Sequence, residues 1–123
     1  MKKWNKEKQH ENMVVWGNIQ EQNKLVFEIL RNVSKYEYKM RSQIINANDS
    51  IGSNFVEGYY SGYLKEYIRF LKYSRRSCGE LLDRVTTLYE LEMINEDKFA
   101  EFVDLNKRTG YLIDRTRQSL EAK

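Results

Sequence analysis

Apolar residues recur along this chain at intervals of three and four positions, the spacing that one buried face of an α-helix produces. Four stretches carry the pattern: residues 14–34, 37–59, 64–93 and a stretch that begins after Asn95. The predicted buried face of the first is formed by Trp16, Ile19, Val26, Phe27, Leu30 and Val33. That of the second is formed by Met40, Ile44, Ala47, Ile51 and Phe55. That of the third is formed by Leu64, Tyr67, Leu71, Ser74, Cys78, Leu81, Val85 and Leu88. That of the fourth is formed by Phe99, Phe102, Val103, Leu105, Leu112, Ile113 and Leu120.

Only short segments connect the four stretches, so consecutive helices are expected to run antiparallel. Asn95, followed by two acidic residues, predicts the N-cap of the fourth helix. The pattern therefore predicts an all-α fold, an up-down-up-down antiparallel four-helix bundle. We expect one domain over residues 13–123, preceded by a flexible basic tail at residues 1–12.

Composition narrows the class of protein. The chain has 123 residues, no proline and 32% charged residues, which suits exposed helices with solvated outer faces. No apolar run is long enough to span a membrane and no secretory signal is evident, so we expect no membrane partner. A single cysteine, Cys78, excludes an internal disulfide framework and favours a cytoplasmic location. The net charge of +3 permits a polyanionic partner without requiring one.

Candidate catalytic chemistry is sparse. His10 is the only histidine and lies in the predicted tail, so no histidine-based triad or zinc site is expected. Cys78 lies on the predicted buried face, where a small apolar role is favoured over that of a nucleophile. A magnesium site formed by Glu57 and Glu66 stays open, although surface carboxylates are usually just solvated. We therefore expect a protein that is not an enzyme and that needs no metal and no cofactor.

The third helix has a basic outer stripe. At about 100° per residue its members project within roughly 60° of one another, over a length of about 17 Å. They are Lys65, Arg69, Lys72 and Arg76. Such a stripe suits several phosphates of a nucleic acid, and Tyr63 and Tyr73 lie near enough to stack on bases. The alternative is a solvated face of mixed charge, because the stripe turns acidic further along the helix. Second-choice anion contacts on the fourth helix are Lys107, Arg108 and Arg115.

The second helix is apolar on two sides. About 120° from its main face lie Ile45, Gly52 and Val56, flanked by Tyr59. A second apolar stripe with a glycine predicts a contact between subunits. The alternative is a helix placed more centrally in the monomer. A polar strip between the two faces consists of Ser50, Ser53, Asn54 and Glu57. It indicates either a ligand or assembly contact, or hydrogen bonds to neighbouring helix ends, and the second interpretation is favoured.

The segment QIINANDSIGSNFVEG at residues 43–58 and the segment LKEYIRFLKYSRRSCGELLDRV from Leu64 together resemble a known signature. It belongs to the four-helix-bundle family encoded in intervening sequences of bacterial 23S ribosomal RNA genes, which is related to the accessory protein of diversity-generating retroelements. The matching positions in the first segment are Gln43, Ile44, Ala47, Ser50, Ile51, Ser53, Asn54, Glu57 and Gly58. Those in the second are Glu66, Tyr67, Phe70, Leu71, Ser77, Glu80 and Leu81.

The resemblance implies a ring-shaped homopentamer that binds nucleic acid in its basic members. The expected function is thus a non-enzymatic homo-oligomeric scaffold for RNA or DNA. The alternative is a module that recruits a protein partner such as a reverse transcriptase. One departure from the family pattern bears on anion binding, because Ile45 and Asn46 stand where the family carries paired arginines.

Overall fold

The computed structural model describes His10 and residues 13–123. It contains four α-helices: α1 (Val14–Arg31), α2 (Tyr38–Tyr59), α3 (Leu64–Glu90) and α4 (Glu96–Glu121). Each helix packs against its neighbours in sequence, and α1 closes the arrangement by packing against α4. The predicted antiparallel four-helix bundle is thereby confirmed. In the part of the chain described here, no helix has the length and apolar character needed to cross a membrane.

The core contains most of the residues that the apolar period selects, but the predicted face of α1 is wrong in one respect. Phe27 is 44% exposed, whereas Gln22 is completely buried. The buried face of α1 also includes Val15, Leu25 and Ile29. A pattern based on apolar residues passes over Gln22, and this omission displaces the predicted face around the helix axis. On α3, Leu64 at the first turn is likewise exposed rather than buried.

Gln22 is buried because α4 supplies a polar partner. The side-chain amide of Asn106 donates to the Gln22 side-chain oxygen at 2.9 Å and to the backbone oxygen of Cys78 at 3.1 Å. The Thr109 hydroxyl, also buried, donates to the backbone oxygen of Leu105 at 2.9 Å. Three helices are thus linked by polar contacts inside an otherwise apolar core, where paired polar groups favour one helix register.

Two helix ends differ from their predicted positions for local reasons. Helix α1 ends at Arg31 rather than residue 34, and Arg41 of α2 donates to the backbone oxygens of Leu30 and Val33 beyond that end. Helix α3 ends at Glu90 rather than residue 93, because Glu92 adopts a left-handed conformation with φ of 61°. The Met93 amide then donates to the Leu88 oxygen at 2.8 Å, which closes a Schellman-type cap. The predicted N-cap of α4 is confirmed, since the Asn95 side chain accepts from the Lys98 amide.

Most of the predicted tail, residues 1–9, 11 and 12, lies outside the described residues. His10 does not fit a flexible tail, because it is only 7% exposed. Its Nδ1 lies 2.8 Å from the Tyr60 hydroxyl, and its ring meets that of Trp16 edge-on at 4.5 Å between centroids. His10 therefore packs at the end of the bundle where α1 and α3 begin and α2 and α4 end, which we name the first end.

Candidate nucleic-acid interface

The basic stripe predicted on α3 is present and exposed. Lys65, Arg69, Lys72 and Arg76 are all solvent-exposed. Among the described residues, Lys65, Lys72 and Arg76 make no ion pair with a carboxylate. Three of the four cations are therefore available to an anionic ligand, and they occupy one side of α3.

Arg69 is held differently from the other three. Its guanidinium donates to both carboxylate oxygens of Glu66, at 2.9 Å and 2.7 Å, and to the Tyr73 hydroxyl at 3.0 Å. The hydrogen bond from Arg69 lowers the pKa of Glu66, and the same partners raise the pKa of Arg69. Both groups stay charged near neutrality, so Glu66 offsets much of the positive charge that Arg69 brings to the stripe.

Tyr73 connects two of the stripe's arginines. The guanidinium carbons of Arg69 and Arg76 lie 5.4 Å and 5.5 Å from the centre of its ring. Cation–π contacts of this kind hold flexible side chains near one geometry. Tyr63, the other predicted stacking residue, is 73% exposed just before α3 begins. The predicted pairing of aromatic and basic side chains therefore exists at Tyr73.

The second-choice cations on α4 do not form one patch. Lys107, Arg108 and Arg115 are all exposed, but Arg108 pairs with Asp104 at 3.1 Å. Arg115 lies seven residues beyond Arg108 and beside an apolar cleft at the first end. Of these three cations, Lys107 and Arg115 make no ion pair with a described carboxylate.

The proposed interface residues of α2 have neighbours within their own chain. A Cβ added at Gly52 would meet Ile19 of α1 at 3.5 Å and the Trp16 ring at 3.6 Å. Val56 lines the same groove between α1 and α2. Ile45 is partly buried against the core, and Tyr59 stacks on Phe55 at 6.2 Å between centroids. These contacts agree with the alternative of a more central helix, while a role for these residues between subunits stays a prediction.

Among the described residues, the polar strip of α2 does not bond to neighbouring helix ends, so the interpretation favoured above is wrong. Ser50 accepts from the Ser77 hydroxyl of α3 at 2.8 Å, and Asn54 donates back to the Ser50 hydroxyl at 2.9 Å. One turn away, the Ser74 hydroxyl donates to the backbone oxygen of Ile51 at 2.7 Å. Small hydroxyl side chains let α2 and α3 approach closely. Ser50 bonds across that seam to Ser77, while Ser53 and Asn54 bond to Ser50 within α2.

The signature residues of the family resemblance are concentrated at this seam. Gln43 accepts from Arg84 of α3 at 3.2 Å, Ser50 bonds to Ser77, and a Cβ at Gly58 would lie 2.7 Å from that of Phe70. The segment that is most distinctive in sequence therefore specifies how α2 and α3 pack. Ser53 and Glu57 are exceptions, because both are exposed and line the groove between α1 and α2.

Reactive groups are shielded or dispersed. Cys78 is completely buried, and burial raises the pKa of its thiol to about 11. The carboxylate of Glu66 is paired with Arg69, which removes one half of the suggested magnesium site. Across His10 and residues 13–123, no group of three or more potential ligands is arranged to hold a metal ion.

Sequence reasoning missed the aromatic cluster at the first end. The Tyr59 ring meets those of Tyr60 and Tyr67 edge-on at 4.9 Å and 5.8 Å, and Phe55 stacks on Trp16 at 5.9 Å. The residues come from three helices, so no local spacing reveals them. The available signal was the run of tyrosines around the connection from α2 to α3.

Comparison with known proteins identifies a family. A family model described as 23S rRNA-intervening sequence protein matches residues 11–115, which span the first three helices and most of the fourth. A search of curated proteins found no match. The matched region contains the α2–α3 seam together with the basic stripe of α3. The chain therefore belongs to the 23S rRNA-intervening sequence protein family.

Proposed function

We propose that this protein is a non-enzymatic, homo-oligomeric scaffold that binds RNA or DNA through the basic stripe of α3. The observation that carries the proposal is the exposed row of Lys65, Lys72 and Arg76, with Arg69 held beside them by Tyr73. Membership of a family named for an rRNA intervening sequence supports a role with nucleic acid. The proposed location is the cytoplasm, where the lone thiol of Cys78 stays reduced.

Phosphate contacts are the basis of the proposed binding, so affinity should depend steeply on salt. Each neutralised phosphate of a single strand contributes about −0.7 to the slope of log K against log salt. The three unpaired cations of one subunit predict a slope of about −2.1. Between 50 and 200 mM salt this corresponds to a roughly 20-fold loss of affinity. A ring that presents several copies to one strand would steepen the slope further.

The test is fluorescence anisotropy with a labelled single-stranded RNA and a DNA strand of the same sequence. The double variant Arg69→Glu with Lys72→Glu should abolish binding while helix content stays unchanged, because both side chains are exposed. The matched control is Lys24→Glu with Lys35→Glu, which makes the same charge change at exposed positions away from the stripe. Equal losses in the two double variants would mean that net charge, rather than the stripe, governs affinity.

Neutralising Arg69 and Lys72 one at a time should change the salt slope by different amounts. Lys72→Gln should flatten the salt slope by about 0.7, the contribution of one phosphate contact to a single strand. Arg69→Gln should flatten it less, because Glu66 already offsets the Arg69 charge. If wild type binds neither strand even at low salt, nucleic-acid binding is excluded and a protein partner becomes the leading hypothesis.

The second candidate function is recruitment of a polypeptide such as a reverse transcriptase, and the groove between α1 and α2 favours it. The groove has a volume of about 400 Å³ and a floor formed by Trp16, Ile19 and Val56. Asp49 and Glu57 line it as well, which suits an amphipathic helix carrying basic residues.

Two substitutions at Gly52 test this groove. Gly52→Met should fill the groove and abolish binding of a protein partner that co-purifies with wild type at high salt. Gly52→Ala is the control, because its Cβ would make only ordinary contacts at 3.5 Å and beyond. Retention of the partner by both variants would exclude the groove as its binding site.

A further inference from the structure

The first end of the bundle contains an open cleft between α1 and α4 with a volume of about 640 Å³. Val14, Leu112 and Leu120 supply apolar walls, and the tyrosines Tyr59 and Tyr67 also line the cleft. Val14 is 73% exposed, so this apolar surface is open to solvent at its entrance. The volume lies within the range of about 300–1,000 Å³ that is typical of small-molecule sites.

Tyr67, whose side chain lines the cleft, carries an unsatisfied polar atom. Its hydroxyl oxygen is buried and has no hydrogen-bond partner among the described residues. Burial raises the pKa of Tyr67 to about 12, so the hydroxyl stays protonated and keeps a proton to donate. A buried hydroxyl without a partner is unfavourable, and a ligand oxygen that accepts from it would remove that cost.

Arg115 brings a positive charge to the same cleft. Its side chain is exposed and makes no ion pair with a described carboxylate, although Asp114 and Glu121 on the same helix both pair with Arg117. Ser119 lines the cleft one turn further along α4. Aromatic rings, a hydroxyl donor and an unpaired cation thus line one cleft, and together they match an aromatic group that carries a hydrogen-bond acceptor and a neighbouring anion.

We propose that this cleft binds an unstacked base of a single-stranded nucleic acid, with Tyr67 donating to a base oxygen and Arg115 contacting an adjacent phosphate. The inference rests on the proposed function and names the form of nucleic acid that the protein selects. Single strands offer free base faces and edges that tyrosine can contact, whereas a duplex keeps its bases stacked and paired. Charge complementarity favours this ligand over an uncharged apolar one, because an uncharged ligand would leave Arg115 without an anionic partner.

The test compares two strands of equal length, a uridine-rich 10-mer and a strand that lacks bases but keeps sugar and phosphate. Wild type should bind the base-containing strand about tenfold more tightly, within the range that stacking of one base on an aromatic side chain provides. Ser119→Phe should fill the cleft and remove this preference, leaving the affinity for the abasic strand unchanged. Ser119→Ala, which leaves the cleft open, should keep the preference.

Two further variants separate the contacts of the base from those of the phosphate. Tyr67→Phe keeps the ring and removes the hydroxyl, so the preference for the base-containing strand should fall about threefold. Arg115→Gln should weaken binding of both strands. Arg31→Gln makes an equal charge change at the C-terminal end of α1, away from the first end, and should not weaken binding. Far-UV circular dichroism checks that each variant keeps its helix content.

The outcomes distinguish this inference from the function on which it rests. Equal, salt-dependent binding of both strands by wild type would overturn the base-binding cleft and leave the α3 stripe intact. Binding of neither strand at low salt would overturn the proposed function as well as the cleft. If Ser119→Phe leaves the preference intact but alters the mass of the protein in light scattering, the cleft holds a second copy of the chain, and the nucleotide assignment is wrong.

Discussion

Replacing Gly58 with alanine should strain the seam between α2 and α3. A Cβ at this position would lie 2.7 Å from the Cβ of Phe70 and 3.2 Å from the backbone oxygen of Tyr67. Both atoms move only with the α3 backbone, so rotation of a side chain does not relieve the contact. Overpacking of this kind costs about 1–3 kcal/mol.

Gly79→Ala is the matched control for that substitution. Gly79 lies within α3, and a Cβ there would meet nothing within 4 Å. Alanine is favoured over glycine inside a helix by about 0.8–1 kcal/mol, so Gly79→Ala should stabilise the protein by roughly that amount. Gly58→Ala has at most the same intrinsic gain, because Gly58 lies near the end of α2. The free energy of unfolding should therefore be about 1–3 kcal/mol lower in Gly58→Ala than in Gly79→Ala.

Urea denaturation followed by circular dichroism measures this difference. Protein concentration must be equal in all samples, because assembly would add to the apparent stability. If Gly58→Ala is stabilised as much as Gly79→Ala, the two helices do not approach as closely as the structure shows. The assignment of the family signature to the α2–α3 seam would then be wrong.

Four further predictions address assembly, the buried thiol and the altered family motif. Val56→Asp should lower the oligomer mass in light scattering while the subunit stays helical, because an unpaired charge would enter an apolar contact. Unfolding without a smaller folded species would place Val56 in the monomer core. A wild-type monomer at micromolar concentration would refute the predicted pentamer. Cys78 should react with a thiol reagent slowly in native protein and fast in unfolded protein, and equal rates would contradict its burial. Because burial raises the pKa of Cys78 from 9.0 to about 11, the unfolded state loses its thiol proton first, so stability should fall between pH 9 and 11 by more in wild type than in Cys78→Ala. Asn46→Arg should raise nucleic-acid affinity and steepen the salt slope by about 0.7 for a single strand, and an unchanged slope would mean that phosphates do not reach that surface.

The helices were predictable because their signals are local. Apolar spacing identifies the buried face of α2 and that of α3 beyond its first turn, and Asn95 marks the start of α4 at the correct residue. The end of α3 was not predictable, since the left-handed cap residue is Glu92 rather than the usual glycine. The burial of Gln22 was not predictable either, because its partner Asn106 lies 84 residues further along the chain.

In the candidate site, too, the features with a local sequence signal were predictable and the others were not. Exposure of the α3 stripe follows from the helical period, and the pairing of Arg69 with Glu66 is a contact between residues three positions apart. The cleft at the first end has no comparable local signal. Its tyrosines come from α2 and α3 and its arginine from α4, so only the packed bundle brings them together.

The departure of this chain from the family's arginine pair makes the α3 stripe more important for any anion binding. Ile45 packs partly against the core, where an arginine would have to leave its apolar neighbours to reach solvent. Asn46 is exposed but uncharged, so α2 contributes no cation at these two positions. Because the serine contacts of the seam hold α3 firmly against α2, the stripe keeps a fixed position relative to the altered site. A nucleic acid that contacts both helices would therefore meet no positive charge at residues 45 and 46, and its orientation on this protein should differ from that on a member that carries the arginine pair.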